Sequence, residues 1–235
     1  MTLQDFVLGG QWVFLAYFVG INVGYLLQNV IAAHGIRRYL QTADQHEAES
    51  VFSALDIPIS IVVPAYNESV SIISSVKAML QLEYPQFELV VVNDGSTDDT
   101  LERLIEAFGL QTFPEAYRAR VPCKPVVSVY RSTLVPNLRV VDKVNGGSKA
   151  DASNAGINAC RFPLVCVVDA DSIMQPDSLR RIVRPFLEDA TTVAVGGTVR
   201  ISNGCVVRRG FLEKVALPTN FLALVQVVEY LRAFL

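Results

Sequence analysis

Basic tracts, paired cysteines and repeats are what this chain lacks. With 20 Lys+Arg set against 23 Asp+Glu, a pI near 5.4 and no interleaving of aromatic with basic residues, it carries no footprint for nucleic acid or a general polyanion. Cys123, Cys160, Cys166 and Cys205 show no CxxC spacing, which points to free thiols in a reducing compartment rather than disulfides or zinc. No internal repeat or low-complexity segment occurs. The 235 residues, 51% of them hydrophobic, suffice for one sizeable core plus an additional element.

Charge is missing altogether from Phe6 to Ala33, FVLGGQWVFLAYFVGINVGYLLQNVIAA. A bilayer needs roughly 20 apolar residues, so residues 6–33 are expected to form one transmembrane helix. A cleaved signal peptide would begin with basic residues, and Asp5 stands there instead. His34, Arg37 and Arg38 follow the stretch, so the positive-inside rule puts the N-terminus outside and everything after residue 35 in the cytoplasm, at the cell membrane. A buried core helix is the alternative. Residues 34–56 are polar and read as a cytoplasmic linker or interfacial helix.

From Ile57 the pattern becomes regular. IPISIVVP, FELVVVND, PVVSVY, PLVCVVDAD and TTVAVGGTVRI are short β-rich runs, and most are separated by helical patterns. VSIISSVKAMLQ has apolar residues at Val70, Ile73, Val76 and Leu80, TDDTLERLIEAF opens with capping and acidic residues, SKADASNAGINAC is a third helix, and PDSLRRIVRPF opens with Pro176. This alternation predicts an open, largely parallel α/β sheet over residues 57–214, followed by an amphipathic and possibly interfacial helix over 215–235.

In such sheets ligands bind beyond the carboxyl ends of the strands. Three polar clusters fall at those ends: PAYNES (Pro64 to Ser69), NDGSTDD (Asn93 to Asp99) and DADS (Asp169 to Ser172). Alone, the first two read equally well as helix caps and turns, and the third as a surface acidic pair. Their joint position is what points to one crevice. VCVVDADS adds a further constraint, because an apolar, valine-rich run predicts a strand buried on both faces that ends in two carboxylates on one side. Asp169 and Asp171 repel each other unless one is protonated, both are solvated, or a cation sits between them and a further anionic group.

PAYNES, VVNDGSTDDT, NGGSKADASNAGIN and VVDADSIMQPDSL together, over roughly residues 57–200, resemble glycosyltransferase family 2, whose nucleotide-diphospho-sugar transferase domain has the GT-A fold. The resemblance implies an inverting glycosyltransferase that takes a sugar from a nucleoside diphosphate, usually a UDP-sugar, and hands it to a glycan or lipid acceptor. The membrane anchor is most similar to the family's polysaccharide synthases. By the same resemblance Ala65, Tyr66 and Glu68 flank the nucleoside, Asp94 accepts a hydrogen bond from the base, and Lys149 reaches base or diphosphate. Asp171 holds Mg2+ or Mn2+, with Asp169 assisting directly or through water and ribose. A divalent cation there bridges diphosphate oxygens and removes the like-charge conflict. Lys149 also reads as a solvated lysine at a helix start. The small residues Ala150, Ala152, Ala155 and Gly156 permit close approach to the sheet or the donor, and Asn154 is the expected polar contact among them. Gly196 and Gly197 are expected inside a strand near the donor sugar.

An inverting transfer needs a general base, which the family supplies from an acidic motif further along. After Gly197 the acids are Glu213 and Glu229, and Glu188 with Asp189 reads as a surface turn, so the catalytic base is unassigned. The expectation is therefore a fragment of a longer enzyme or a truncated product, able to bind donor and metal without completing transfer. Two other functions fit the same residues: loading of one sugar onto a lipid phosphate or envelope acceptor, and an inactive nucleotide-sugar-binding subunit.

Overall fold

The structure, a computed structural model, describes residues 3–47, 57–114, 117, 119–199, 201–208 and 211–233. The chain divides into two units. The first contains helix α1 (Leu3–Glu47) and helix α6 (Phe221–Ala233). Within α1, Gly10–Ile31 is 22 residues long with a mean hydropathy of 1.5, and none of it is buried. The helix runs on past the expected end of the span to Glu47, while residues 48–56 of the anticipated linker lie outside the described residues.

The second unit, Leu55–Gly197 with Gly204–Ala216, is the α/β domain. Its first strands are β1 (Ile59–Ala65), β2 (Phe87–Asn93) and β3 (Leu110–Thr112). After these come β4 (Val126–Ser132), β5 (Leu138–Lys143) and β6 (Leu164–Val167), and the six strands are ordered β3-β4-β5-β2-β1-β6. β5, β2, β1 and β6 are mutually parallel, and β4 and β3 continue the sheet antiparallel. Helices α2 (Ile72–Met79), α3 (Thr100–Phe108), α4 (Lys149–Ala159) and α5 (Ser178–Glu188) connect them. A separate hairpin pairs β7 (Val206–Arg208) with β8 (Phe211–Lys214).

Side-chain alternation explains the two layers. Ile59, Ile61 and Val63 face one way and pack with Ile72, Val76 and Met79 of α2, Leu104 and Phe108 of α3, and Leu179 and Val183 of α5. Val62, Val90, Val92 and Val141 face the other way, against Ala152 and Ala155 of α4. Full burial of a side chain such as Leu104 contributes about 2 kcal/mol. The small residues of α4 serve the sheet: a Cβ on Gly156 would stand 2.3 Å from Val62 Cγ1.

The structure departs from the sequence reading in three places. β6 is the last strand of the sheet, with burial that alternates along it. Val165 and Val167 are 39% and 42% exposed, so it is not buried on both faces. TTVAVGGTVRI forms no strand over its described residues. Val193 is 93% exposed and no chain lies against a Cβ at Gly196, so the apolar run has no pairing partner to make it a strand. LRVVDK forms β5 although it carries three charges, which masks the strand pattern in the sequence.

Candidate functional site

Because β5, β2, β1 and β6 run parallel, their carboxyl ends share one edge of the sheet, and register aligns Ala65 with Asn93 and Asn93 with Asp142. β6 ends earlier, where Val168 N–H donates to Val62 O at 2.9 Å, so Asp169 follows immediately. Strands β2 and β6 flank β1 on opposite sides, the arrangement that opens a crevice at a sheet's carboxyl edge.

The first two clusters are tied to each other. Asn67 N–H donates to Ser96 Oγ at 3.0 Å, and Asn67 Oδ1 accepts from Thr97 N–H at 2.8 Å. Glu68 N–H donates to Thr100 Oγ1 at 3.0 Å, and Ser69 N–H to Asp98 Oδ2 at 3.2 Å. Asn67 is held at φ 56°, a left-handed conformation that asparagine tolerates better than most residues. Gly95, at φ +63°, has no room for a side chain, since a Cβ would lie 2.7 Å from Asn145 N.

Asp98 is the anchor of this junction. Hydrogen bonds from the Thr100 hydroxyl, and then from Ser69 N–H and Thr100 N–H, outweigh the effect of burial and hold its carboxyl down at about 2. Its neighbour Asp99, the N-cap of α3, pairs with Arg103 at 2.6 Å, which lowers its pKa. Arg103 also donates to Ser69 O at 3.1 Å, closing the loop of contacts between the two turns.

Asp94 is 6% exposed and engaged on several sides. Its N–H donates to Ala65 O at 2.9 Å, its carbonyl accepts from Asn145 Nδ2 at 2.8 Å, and its Oδ1 accepts from Gly146 N–H at 3.1 Å. Lys143 Nζ forms an ion pair with the same oxygen and a second one, of 2.6 Å, with Asp151. Burial pulls the Lys143 ammonium down, but hydrogen bonds to Asp151 and Asp94 prevail and raise its pKa above the ordinary lysine value. The same Lys143 contact, joined by Lys124 N–H, holds the Asp151 carboxyl below its usual range. Sequence reasoning missed Lys143 and Asp151. The available signal was charge inside a strand pattern next to NGG, which requires a buried partner.

The third cluster joins through α4. Ser148 caps this helix by accepting from Asp151 N–H at 3.3 Å, and Lys149, its first residue, forms an ion pair with Asp169. Both side chains are 53% exposed, so the pair adds little stability and leaves both groups accessible. Asp171 is exposed, and among the described residues no hydrogen bond or ion pair reaches its carboxylate.

Of the predicted site residues, Asp94 is fixed by the carbonyl of Ala65 and Lys149 is paired with Asp169, and the two sets are related through the first turn of α4, where Asp151 holds Lys143. Tyr66, next to Ala65, is half exposed. Glu68 Oε2 instead accepts from the Ser71 hydroxyl at 2.6 Å, at the start of α2. Asn154 donates to Pro122 O at 2.9 Å and so is committed to a loop. Glu188 pairs with Arg184 at 2.5 Å and Asp189 accepts from Thr191 at 2.8 Å, as expected of a surface turn. A cavity of about 590 Å³ lies against β4, between Phe113, Tyr117 and Lys124, and none of the predicted site residues lines it. The four thiols are free, and burial pushes Cys160 up to about 11, a value unsuited to a nucleophile.

Two family profiles match the chain, Glycosyl transferase family 2 over residues 60–116 and Glycosyltransferase like family 2 over residues 123–232. The poly-β-1,6-N-acetyl-D-glucosamine synthase of Staphylococcus epidermidis is 30% identical over 146 residues, which are 62% of this chain and 29% of that one. The probable glycosyltransferase YdaM of Bacillus subtilis is 30% identical over 192 residues, 80% of this chain and 41% of YdaM. The chain thus spans less than half the length of either relative. Among solved structures, the mannosyltransferase PcManGT from Pyrobaculum calidifontis, in complex with GDP-Man and Mn2+, covers 57% of this chain and 33% of its own. Its identity is 21% and its TM-score 0.44.

Proposed function

Since the chain belongs to glycosyltransferase family 2, with its GT-A fold, we propose that residues 57–214 form the donor- and metal-binding part of a membrane-anchored, inverting glycosyltransferase. In this reading it takes a UDP-sugar and builds a polysaccharide. The observation that carries the reading is the joining of three strand-end clusters. Asp94 is fixed at the end of β2, and Lys149 is paired with Asp169 beyond β6.

Each residue has a chemical task. Asp94 offers its remaining carboxylate oxygen to the nucleobase. Lys149, exposed and on a long flexible stem, meets the diphosphate as a counter-charge to the leaving group. Ala65 and Tyr66 border the nucleoside. Asp169 and Asp171 fit a divalent cation as a pair. They are oxygen donors only, both are accessible, and Mg2+ or Mn2+ takes one or two carboxylates and fills its remaining positions with water and phosphate oxygens. Among the described residues no group of three His, Cys, Asp or Glu gathers to hold a metal. The ion, when bound, neutralises charge on the departing diphosphate.

In the transfer, the acceptor hydroxyl oxygen bonds to the anomeric carbon from the face opposite the diphosphate, the bond to the diphosphate oxygen breaks, and UDP leaves with the electron pair. The hydroxyl proton goes to a base outside the residues assigned here.

Calorimetry of the chain in detergent with UDP, with and without Mn2+, tests the site. Metal-dependent binding is expected, weakened at least about tenfold by Asp171→Ala, the loss of one charge-assisted contact. Absence of metal-dependent UDP binding by the folded chain overturns the assignment.

A further inference from the structure

Asp169 and Asp171 stand two residues apart just beyond β6, and the sequence leaves their mutual repulsion unanswered. The structure answers half of it. Lys149 Nζ, from the first residue of α4, forms an ion pair with Asp169 Oδ1, whereas among the described residues nothing reaches the carboxylate of Asp171. Asp151 lies nearer to Lys149 in sequence but is already committed. Its Oδ2 holds Lys143 at 2.6 Å, and its Oδ1 accepts from Lys124 N–H at 2.9 Å.

The pair across these two elements is easily exchanged. Both side chains are 53% exposed, and an ion pair in contact with water contributes little. The lysine ammonium sits on a flexible four-carbon stem, so it can leave Asp169 without any movement of α4. An ammonium and a divalent cation on one carboxylate repel each other, so the two compete for Asp169.

We propose that Lys149 is the resting counter-ion of this carboxylate pair, standing in for the divalent cation at Asp169 and exchanging partners when cation and diphosphate arrive together. This rests on the reading above that Asp169 and Asp171 hold the metal and Lys149 meets the diphosphate. Metal alone displaces the ammonium and leaves it without a partner. Diphosphate alone draws the ammonium away and leaves Asp169 and Asp171 facing each other uncompensated. Together, each ligand supplies the charge that the other removes, so each tightens the binding of the other by the same factor.

The experiment is a double-mutant cycle on UDP binding by the chain in detergent, with EDTA present to remove metal. Asp169→Asn removes an acid near the diphosphate and also frees Lys149, whereas in the Lys149→Gln chain the same substitution does only the first. Asp169→Asn is expected to tighten metal-free UDP binding about threefold more with Lys149 present than in Lys149→Gln, the size of effect an exposed ion pair supplies. A second titration, of Mn2+ alone and read by electron paramagnetic resonance of the free ion, is expected to show Lys149→Gln binding the metal about threefold more tightly than the unsubstituted chain. Both substitutions change exposed side chains, so the fold is not at stake.

If UDP with Mn2+ does not bind the unsubstituted chain, the donor-site reading and this inference fall together. If it binds and Asp169→Asn has the same effect with and without Lys149, the donor site stands and the inference fails, because the two residues then act independently. It fails equally if Asp169→Asn weakens metal-free UDP binding only when Lys149 is present, since the acid then holds the lysine toward the diphosphate. Should metal-free UDP binding be too weak to read, the Mn2+ titration decides: an affinity unchanged or lowered by Lys149→Gln overturns the exchange.

Discussion

At the residue scale, the turns of the site are held by groups whose charge the fold itself sets. Asp98 illustrates this, since hydrogen bonds from Thr100 and Ser69 lower its carboxyl from the ordinary 3.8 to about 2. A carboxylate depressed in the folded state contributes stability that is complete above the unfolded value and disappears as pH falls through the folded one. Stability of the α/β domain should therefore drop between about pH 4 and pH 2 through this group. Asp98→Asn should flatten that part of the profile, measured as urea midpoints across pH 2 to 6; an unchanged slope would place the acid sensitivity elsewhere. Gly146 gives a steric counterpart. In Gly146→Ala the new methyl would collide with Asp151, whose partner is the buried Lys143, and both would have to move. The expected cost is about 1–3 kcal/mol with weakened UDP binding, read from denaturation and calorimetry on the same sample.

Among the elements, what joins the strands at their starts is as polar as what joins them at their ends. Glu88 near the start of β2 accepts from Ser60 of β1 at 2.7 Å, from Arg139 of β5 at 2.6 Å and from Arg161 N–H at 2.7 Å. The Glu88–Arg139 pair is buried, so Arg139→Met would leave an interior carboxylate with only the half-exposed Arg161 guanidinium, 3.7 Å away, as counter-charge. That substitution should cost about 3–5 kcal/mol, and the double Glu88→Gln, Arg139→Met should cost less than the single, a coupling visible in urea titrations. This polar framework also explains what the sequence concealed. β1 and β2 were legible as unbroken apolar runs, and their polar ends as site candidates. β5 was not, because Arg139, Asp142 and Lys143 look like surface charges until their partners on β2 and α4 are known. Asp94, Lys149 and Asp169 are candidates from motif and position alone, whereas the partnership of Lys143 with Asp94 and Asp151 depends on contacts distant in sequence, which no local pattern encodes. TTVAVGGTVRI failed in the opposite sense. Its composition suits a strand, but a strand exists only when another chain segment pairs with it.

On the scale of the whole molecule, helix α1 carries an apolar surface that none of the described residues covers. Trp12, Phe14, Phe18 and Ile31 are all more than half exposed along Gly10–Ile31, a stretch of 22 residues. A water-soluble chain would have to bury such a surface, whereas a bilayer about 30 Å thick accommodates a helix of about 20 residues without further partners. A membrane span follows as the proposal for α1, with the α/β domain on the cytoplasmic side by the placement of Arg37 and Arg38 after it. Val19 and Gly20 lie near the middle of the stretch, where each arginine costs about 2.5–3.5 kcal/mol on insertion scales. The double substitution Val19→Arg, Gly20→Arg should therefore abolish integration. The unsubstituted chain is expected to stay with the membrane after alkaline carbonate extraction, and the double variant to appear in the soluble fraction. Retention of the double variant in the membrane would show that another segment holds the chain there. The soluble fraction also allows a direct check on how the two units relate to function. If the proposed donor site lies wholly within the α/β domain, the double variant should still bind UDP with Mn2+ at close to the original affinity, because Asp94, Lys143, Lys149, Asp169 and Asp171 all belong to Leu55–Gly197. Loss of binding in a variant that remains folded would instead make the helix part of the site.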